Sequence, residues 1–417
     1  MSIAVTTAEG AGAGAVQAAE PLLAIGPKRL LGNYRQAPFV LDRGKGSELF
    51  DTEGRRYLDF AAGVAVCSLG HAHPRLVAAI AEQAGRLMHV SNYFYNAENL
   101  RLADELCAVT GFDRAFFCNS GAEANEAMLK LARHYFFGKG EPHRYRIIAF
   151  ENSFHGRTLG AIAVTGNAKY REGFGPPLPG VTHINYGDLD ATAAAMGSDV
   201  AAILVEPMLG EGGVLPPPAG FLAGLRKLAD DHGALLLLDE VQTGIGRTGR
   251  WLGAQHDGVS GDAIALAKGL GGGFPIGALL LREKLNAALP PGTHGSTFGG
   301  NALASAAART VLAVLRDEKL VEAAETRGQK LGRGLADLAS KHPKLCSNER
   351  GRGLLRGIVL TPAADPRATL AKIRDHGVLL TIAGNNVLRF SPPLIIRDTE
   401  IDEALERVDA ALSELGA

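Results

Sequence analysis

The chain has 417 residues, of which 46% are hydrophobic and 21% are charged, a composition typical of a globular protein large enough for a main core and a smaller one. Its 43 Lys and Arg residues balance 44 Asp and Glu residues, and a net charge of −1 lacks the clustered cations that nucleic acids and anionic membranes require, so neither partner is expected. The four cysteines form no C-x-x-C pair and are too sparse for a disulfide scaffold, which favours a reducing, cytoplasmic location.

The two ends of the chain differ in pattern from its middle. Residues 1–20 contain no Lys or Arg and no apolar run, so they match neither a secretory signal nor a transit peptide and are predicted to be a flexible segment. Residues 21–75 and 310–417 mix helical patterns with short apolar runs such as Leu354–Leu360 and Val387–Phe390. We expect these two segments to form the N-terminal and C-terminal parts of one small α+β domain.

Between residues 76 and 309, short apolar runs alternate with helical patterns, which indicates a large α/β domain. The runs are apolar throughout, as is typical of a mostly parallel sheet covered by helices on both faces. Ligands bind at the carboxyl ends of such strands, so the residues after each run are the candidates for a site. The predicted strands are Ala115–Cys118, Ile147–Phe150, Ala201–Val205, Ala234–Leu238, Ala263–Ala267 and Ala278–Leu281.

An acidic residue and a lysine follow two of these runs. Ala234–Leu238 leads into Asp239, and Ala263–Ala267 leads into Lys268, which precedes the glycine-rich segment 269–273. Desolvation of a lysine in such a pocket favours the neutral amine, which forms an imine with an aldehyde. The aldehyde cofactor pyridoxal phosphate is therefore the natural candidate, with Asp239 keeping its ring nitrogen protonated.

Pyridoxal phosphate also requires a phosphate site and a flat contact for its ring. The segment Ser120–Glu123 follows a predicted strand, and its Ser and Glu have the spacing of a helix capping box. The free N–H groups and the dipole of a helix N-terminus attract a phosphate, and Gly121 allows the backbone a close approach. Phe154 is a candidate for the contact with the ring, and Arg157 for bidentate binding of a substrate carboxylate.

Each of these residues has a structural interpretation when it is taken alone. Lys268 can be a loop lysine that reaches solvent, Asp239 or Ser120 can cap a helix, and Phe154 can be a core residue. Their common position after predicted strands of one sheet favours a shared site over independent explanations. A non-catalytic binding protein would leave a strand-end lysine beside several glycines unexplained.

The segment Gly244–Gly249 satisfies the G-x-G-x-x-G pattern, so an NAD-dependent oxidoreductase is the alternative from a different class. That fingerprint requires a helix directly after the glycines, and residues 250–253 show no helical pattern, so we expect a turn-rich loop instead. His71 and His73 have no apparent third ligand and are interpreted as structural residues. No metal site is expected.

These motifs together resemble the class III pyridoxal phosphate aminotransferases from about residue 32 to residue 393. The resemblance implies fold type I of the pyridoxal-phosphate-dependent transferases, with a mostly parallel seven-stranded sheet in the large domain and a smaller α+β domain built from both termini. The segments that carry it are Phe117–Glu126 (FCNSGAEANE), Phe154–Thr158 (FHGRT), Leu238–Gly244 (LDEVQTG), Ala267–Gly273 (AKGLGGG) and Ser296–Asn301 (STFGGN).

The resemblance assigns roles around the cofactor ring. It implies that Lys268 is the Schiff-base lysine and the proton carrier. Asp239 is the implied partner of the ring nitrogen, and Gln242 is the implied neighbour of the ring hydroxyl. Val241 and Phe154 are implied to enclose the ring.

At the phosphate end, Ser120, Gly121 and Ala122 match the residues that bind the phosphate in the family. Thr297 matches the residue that reaches the phosphate from the neighbouring subunit, and Ser296 matches a position near the substrate. The resemblance therefore implies a homodimer with its active sites at the subunit interface.

Two arginines are implied to select the substrates. Arg157 resembles the residue that binds the carboxylate of acetylornithine, and Arg389 resembles the one that binds the α-carboxylate of 2-oxoglutarate. In the family, a glutamate that matches Glu211 covers the second arginine while the amine donor is bound, and Glu206 is also expected in the substrate site. The segment 205–211 reads VEPMLGE where the family usually has VEPIQGE, so any hydrogen bond from the missing glutamine is in doubt.

Within the family, the chain is similar to the members that act on acetylornithine. The implied activity is transfer of the terminal amino group of N2-acetyl-L-ornithine to 2-oxoglutarate, which gives N-acetyl-L-glutamate 5-semialdehyde and L-glutamate in arginine biosynthesis. Succinylornithine, succinyl-diaminopimelate, free ornithine and 4-aminobutyrate remain open as alternative amine donors.

Overall fold

The computed structural model describes residues 19–416, so residues 1–18 of the predicted flexible segment lie outside the described part of the chain. Helix α3 is a single turn with a left-handed backbone, in which φ ranges from 45° to 67°. The helices are α1 (Ala19–Leu23), α2 (Gly26–Arg29), α3 (Ala62–Ala65), α4 (Pro74–Ala84), α5 (Ala97–Thr110), α6 (Gly121–Gly138), α7 (Leu159–Val164), α8 (Leu189–Ala195), α9 (Phe221–Asp231), α10 (Ala302–Asp317), α11 (Leu320–Lys341), α12 (Pro366–Asp375) and α13 (Asp398–Gly416).

Short 3₁₀ helices and the strands of three sheets complete the described elements. The 3₁₀ helices are Ala168–Tyr170, Gly253–Asp257, Lys268–Leu270 and Glu283–Ala288. The strands are β1 (Leu41–Lys45), β2 (Glu48–Asp51), β3 (Arg56–Asp59), β4 (Arg114–Cys118), β5 (Arg146–Phe150), β6 (Val181–Ile184), β7 (Val200–Val205), β8 (Leu235–Asp239), β9 (Ala263–Leu266), β10 (Gly277–Leu281), β11 (Cys346–Arg352), β12 (Leu355–Leu360), β13 (Val378–Leu379), β14 (Thr381–Ala383) and β15 (Val387–Phe390).

The largest sheet has seven strands in the order β4-β10-β9-β8-β7-β5-β6. Strand β10 runs antiparallel to both of its neighbours, and the remaining pairs are parallel. All six strands predicted for this region are present. The seventh, β6, was not predicted as a strand, because it is a half-buried edge strand with polar residues at two of its four positions.

The core lies on both faces of this sheet, because alternate residues of each central strand point to opposite sides. In β8, Leu236 and Leu238 belong to one buried cluster, and Leu235 and Leu237 belong to the other, which also contains Met128 of α6. Each of these leucines is at most 3% exposed. Burying a leucine stabilises the fold by about 1.5–3 kcal/mol, so these strands are fixed and can position the residues at their ends.

The two ends of the chain meet in a smaller α+β unit. Strand β13 pairs in parallel with β3, where Val378 lies beside Leu58, and so joins the C-terminal segment to the sheet β1-β2-β3-β13. A second sheet has the order β11-β12-β15-β14. The predicted fold class is confirmed. The predicted boundaries at residues 75/76 and 309/310 fall within α4 and α10 and stay a prediction.

Helices long and apolar enough to cross a bilayer are absent from residues 19–416.

Candidate active site

The carboxyl ends of the parallel strands and the N-terminus of α6 enclose a cavity of about 420 Å³. Its walls come from the loops after β4, β5, β7, β8 and β9, which is where ligands bind in open α/β sheets. Eleven of the predicted site residues line it, namely Ser120, Gly121, Ala122, Phe154, Arg157, Glu206, Glu211, Asp239, Val241, Gln242 and Lys268.

Lys268 follows the end of β9 and opens onto this cavity. Its backbone is left-handed, with φ of 42°, a conformation that costs a non-glycine residue of order 1–3 kcal/mol and tends to occur at functional sites. Burial lowers the pKa of Lys268, and the attraction of Glu211 opposes this effect. The site therefore favours the neutral, nucleophilic amine more than water does.

Asp239 ends β8 with its carboxylate buried beneath the cavity. Its Oδ2 accepts a hydrogen bond of 2.8 Å from Asn125 Nδ2 and lies 2.7 Å from His155 Nδ1, and its Oδ1 accepts a 3.0 Å bond from the Val241 N–H group. These contacts fix the orientation of the carboxylate. Sequence reasoning missed Asn125 and His155, although a polar residue on the apolar face of α6 and a histidine next to Phe154 were available signals.

The start of α6 supplies donors for an anion. Ser120 is the N-cap, and its Oγ accepts a 3.2 Å hydrogen bond from Glu123 N–H, as predicted for a capping box. The Glu123 carboxylate accepts from Asn119 N–H at 2.8 Å, rather than from the N–H of Ser120 itself. The first N–H groups of a helix have no partner within it, and those of Gly121 and Ala122 lie at the cavity wall.

The cavity fits pyridoxal phosphate on observations that do not depend on any bound group. The Gln242 Nε2 atom is buried, and no partner among the described residues accepts its hydrogen bond. A Cβ atom at Gly121 would lie 2.7 Å from Val241 Cγ1, so the helix start and the loop after β8 are in close contact. Together with Lys268 and Asp239, these residues offer an amine, an acid, an unused amide donor and an anion site around one cavity.

Phe154 lies in the loop after β5, where its ring packs edge-on against Tyr170 at 5.9 Å. Arg157 is exposed, and its guanidinium lies 3.9 Å above the centre of the Tyr170 ring. The Arg157 guanidinium forms no ion pair with the carboxylates that the structure describes, so it is available to a substrate carboxylate.

Arg389 and Glu211 form an ion pair at the side of the cavity. Arg389, on β15, is 2% exposed, and its Nη1 lies 2.5 Å from Glu211 Oε1. Its Nε donates to Thr381 Oγ1 at 2.9 Å, which fixes the guanidinium from the other side. Burial by itself raises the pKa of Glu211, but Arg389 and Lys268 outweigh this effect and hold the pKa below its ordinary value.

Glu206 lines the cavity, but backbone groups occupy both of its carboxylate oxygens. Its Oε1 accepts from Phe154 N–H at 2.8 Å, and its Oε2 accepts from Gly210 N–H at 3.0 Å. Glu206 thus ties the loop after β5 to the loop after β7. Burial raises the pKa of this carboxyl to about 7. Its predicted contact with substrate stays a prediction.

Ser296 and Thr297 do not line the cavity of their own chain. Ser296 Oγ accepts from Gly299 N–H at 3.0 Å and from Asn119 Nδ2 at 3.3 Å, which places it beside the start of α6. Thr297 is exposed. This location leaves Thr297 available to a neighbouring molecule.

The glycine segment Gly244–Gly249 and the histidines His71 and His73 do not line the cavity. Residues 241–250 form turns, and the next element is the 3₁₀ helix Gly253–Asp257, so the glycine pattern Gly244–Gly249 lacks the helix of a dinucleotide fingerprint. His71 Nε2 lies 2.7 Å from Asp59 Oδ2. Within residues 19–416, no three His, Cys, Asp or Glu side chains are grouped so as to hold a metal ion.

Comparisons with known proteins agree with this geometry. The family model described as "Aminotransferase class-III" matches residues 32–412. Acetylornithine aminotransferase of Myxococcus xanthus is 49% identical over 90% of this chain and 93% of its own length. The crystal structure of ornithine aminotransferase from Toxoplasma gondii superposes with a TM-score of 0.92, at 38% identity over 95% of each chain.

A crystal structure of N-acetylornithine aminotransferase from Stenotrophomonas maltophilia has a TM-score of 0.81 and 40% identity, covering 94% of this chain and 99% of that one. The family match spans nearly the whole described chain, and the fold agrees with it throughout. The chain therefore belongs to the class III aminotransferases, enzymes that depend on pyridoxal phosphate.

Proposed function

We propose that this enzyme transfers the terminal amino group of N2-acetyl-L-ornithine to 2-oxoglutarate and so forms N-acetyl-L-glutamate 5-semialdehyde and L-glutamate. The observation that carries the proposal is the buried ion pair between Arg389 and Glu211, beside Lys268. The similarity to curated acetylornithine aminotransferases at 46–49% identity supports the same activity.

The ion pair solves the problem of binding two different substrates in one pocket. Acetylornithine carries its only carboxylate far from the reacting amine, within reach of Arg157, so an unpaired Arg389 would leave a buried cation beside apolar methylene groups. With Glu211 in place, that end of the pocket has no net charge. When 2-oxoglutarate binds, its α-carboxylate replaces Glu211 on Arg389 and forms a bidentate pair.

The residues around the cavity have distinct tasks in the reaction. Pyridoxal phosphate supplies an aldehyde that takes up the amino group and a ring that withdraws electrons from the reacting carbon. Lys268 would hold the cofactor covalently between turnovers, and its Nζ, once released, would accept the proton from the substrate carbon that bears the amino group. Asp239, held by Asn125 and His155, would pair with the protonated ring nitrogen.

The remaining cofactor contacts follow from the same placement. Gln242 Nε2 would donate to the ring hydroxyl, and Phe154 and Val241 would lie against the ring. Ser120, Gly121 and Ala122 would bind the phosphate at the start of α6. Each of these roles is supported by the position of the residue at the cavity wall.

The choice of amine donor is tested by steady-state kinetics with a panel of amines. We expect parallel-line, ping-pong kinetics with 2-oxoglutarate, and a kcat/KM for acetylornithine at least about tenfold above that for free ornithine. Both donors offer the same carboxylate to Arg157, but free ornithine carries an α-ammonium group beside it, a second cation near the guanidinium, where the acylated donor has a neutral amide. A higher value for ornithine or 4-aminobutyrate would overturn the assignment.

Succinylornithine is the second candidate donor. One relative, from Pseudomonas aeruginosa and 46% identical, is named "Succinylornithine transaminase/acetylornithine aminotransferase". The two donors share the amine and the α-carboxylate and differ only in the acyl group. Comparing their kcat/KM values separates the two assignments.

We also propose that the enzyme is a homodimer in which Thr297 of the partner subunit binds the phosphate. Exposed aromatic side chains support this proposal: Tyr93, Phe94, Tyr95 and Phe298 are 59–92% exposed in the single chain, and monomers seldom leave so many large apolar groups in water. Light scattering is expected to give twice the mass of the 43.7 kDa chain. A monomer with full activity would contradict it.

We also propose that the enzyme is located in the cytoplasm. The four cysteines are all free thiols, which fits a reducing compartment. Cell fractionation tests the proposal, and recovery of the enzyme in a secreted fraction would contradict it.

A further inference from the structure

The segment that carries Glu211 is a small hairpin, residues 209–215, called here the gate hairpin. Leu209 and Leu215 close it with two backbone hydrogen bonds, of 3.0 Å from Leu209 N–H and 2.9 Å from Leu215 N–H. The Glu211 side chain leaves this hairpin to reach Arg389. The position of the hairpin therefore sets how well Glu211 covers the arginine.

The gate hairpin is attached to the same sheet that carries Arg389, the sheet β11-β12-β15-β14. Gly384 N–H donates to the carbonyl of Glu211 at 2.6 Å. Val214 of the hairpin is fully buried in a small apolar cluster with residues of that sheet, namely Leu355, Ala383 and Val387. The ion pair thus has both of its partners anchored to one sheet.

Arg350, on β11, makes the remaining attachment. Its Nε donates a 2.7 Å hydrogen bond to the carbonyl of Gly213, two residues after Glu211. Gly213 has φ of 104°, and a Cβ atom there would lie 2.6 Å from Arg350 Nη2. The positive φ strains any residue with a side chain at this position, and a Cβ there would also displace the guanidinium, so glycine suits this contact.

Strand register places Arg350 and Arg389 in one row. Arg350 pairs with Gly357 on β12, and Gly357 pairs with Arg389 on β15, so the three residues share a face of the sheet. Gly357 has no side chain between the two arginines, and the space above it is filled by Val214 and Val387. The two cations therefore flank the gate hairpin from the same surface.

Arg350 has no carboxylate partner among the described residues, and its burial lowers the pKa of the guanidinium. A half-buried cation without a counter-ion is unfavourable unless its hydrogen bonds compensate. The one hydrogen bond that the structure gives this side chain goes to the gate hairpin. This contact is the one expected if Arg350 holds the gate hairpin in place.

We propose that Arg350 is a positioning residue for substrate discrimination: by fixing the carbonyl of Gly213, it holds Glu211 over Arg389 while the amine donor is bound. This inference rests on the proposed function, in which Glu211 covers Arg389 for one substrate and releases it for the other. Loosening the hairpin weakens the covered state and leaves the state with Arg389 free unaffected. Arg350 therefore favours the half-reaction with acetylornithine over the half-reaction with glutamate.

The test follows each half-reaction of the holoenzyme separately through the absorbance of the bound cofactor. For Arg350→Ala, we expect the ratio of kcat/KM for acetylornithine to kcat/KM for glutamate to fall about five- to tenfold, as for loss of a charged hydrogen bond, with kcat for acetylornithine within twofold of wild type. Because Glu211 already covers Arg389 in the unliganded enzyme, most of this change should be a higher kcat/KM for glutamate, which then has a weaker ion pair to break. If this variant fails to fold, Arg350→Met retains the packing of the aliphatic stem and carries the same expectation.

Arg356→Ala is the matched control. Arg356 lies next to Gly357 on β12 but on the opposite face of the sheet, where it pairs with Glu349 at 2.9 Å and faces α11. Its removal is expected to lower the unfolding temperature without separating the two half-reactions. An equal loss in both half-reactions for Arg350→Ala, or the same pattern for Arg356→Ala, would overturn the inference.

The double variant Arg350→Ala/Glu211→Gln separates this inference from the proposed function. If Arg350 acts through Glu211, the second substitution adds less than twofold to the effect of Glu211→Gln alone. A full additional change in the ratio of the two kcat/KM values would show that Arg350 acts by another route. That result would overturn the inference, while the proposed function would stand. If Glu211→Gln itself affects both half-reactions equally, the covering role of Glu211 fails, and the inference fails with it.

Discussion

Asp239 shows how a single carboxylate acquires its role from three donors. Each of the three donors contacts one of its oxygens. Asn125 comes from α6, His155 comes from the loop after β5, and the Val241 N–H group comes from the loop directly after β8. A carboxylate with donors on both oxygens keeps one orientation. It can then hold a positive charge on a ring nitrogen throughout the reaction.

Asp239→Asn is expected to lower kcat/KM at least about a hundredfold, which corresponds to ~2.7 kcal/mol in the barrier, because an amide cannot neutralise a protonated ring nitrogen. Stopped-flow single turnovers measure the loss. The control is Asp262→Asn, a buried acid that precedes β9 at the other end of the sheet and pairs with Arg226 at 2.8 Å. Efficiency within tenfold of wild type would remove Asp239 from the mechanism.

The sequence could predict Asp239 and Lys268 because both follow apolar strands, and the end of a buried strand is a position that a local pattern defines. It could not predict Asn125 and His155, because their contact with Asp239 exists only once α6 and the loop after β5 pack over β8. Arg350 was missed for a similar reason. Its row with Arg389 depends on the register of strands that are joined through β12.

At the scale of the element, the start of α6 combines a cap with a close contact. The capping pattern of Ser120 and Glu123 predicted the helix start, and the structure confirms it. The contact between Gly121 and Val241 was not predictable, because it joins the residues after β4 to the residues after β8. Three other strands lie between these two in the sequence, and the two segments approach each other only in the folded domain.

Gly121→Ala is expected to weaken binding of pyridoxal phosphate at least about tenfold, because the new Cβ would lie 2.7 Å from Val241 Cγ1 and push the helix start away from the phosphate. Titration of the cofactor-free enzyme with pyridoxal phosphate measures the dissociation constant. Gly138→Ala, at the other end of α6, is the matched control because its Cβ would meet no atom within 4 Å. Unchanged affinity in Gly121→Ala would contradict the assignment of the phosphate site.

Glu206 links two loops and makes stability depend on pH. Burial raises its pKa to about 7 in the folded protein, from 4.5 in the unfolded chain, so the folded state holds the proton more tightly. Stability from this group is thus present below about pH 4.5 and is lost as the pH rises to about 7, at no more than about 1.4 kcal/mol per pH unit.

Glu206→Gln is expected to remove this decline. Denaturant unfolding of both proteins at pH 5 and pH 8 gives the comparison, and the wild type should lose more stability than the variant between the two values. The constant penalty of an amide facing two N–H donors cancels, because only the change with pH is compared. Parallel pH profiles would show that Glu206 titrates outside this range.

At the scale of the whole molecule, the sequence predicted the fold class from the run of buried strands and from the motifs at their ends. Strand β6 was not predicted because only one of its four residues is buried, so it lacks the continuous apolar character of the central strands. Local sequence patterns could not predict the pairing of β3 with β13 either. Contacts between distant segments are set by tertiary packing alone.

If the enzyme is the proposed homodimer with active sites at the subunit interface, two defective subunits should complement each other. Lys268→Ala is expected to be inactive, and Thr297→Ala is expected to bind pyridoxal phosphate weakly. A mixed dimer has one native site, with Lys268 from one subunit and Thr297 from the other, so mixing and reassembling the variants at limiting cofactor should restore activity. Activity no higher than that of the separate variants would contradict a site built from both subunits.

The parallel pairing of β13 with β3 has a consequence for synthesis on the ribosome. Leu58 pairs with Val378, which is synthesised 320 residues later. At a translation rate of 5–20 residues per second, Leu58 lacks this partner for roughly 16–64 s. Throughout that time, the nascent N-terminal hairpin has an open edge that can pair with other polypeptides. A ribosome that stalls before codon 378 would therefore release an aggregation-prone fragment, and chaperones would have to protect this edge until translation ends.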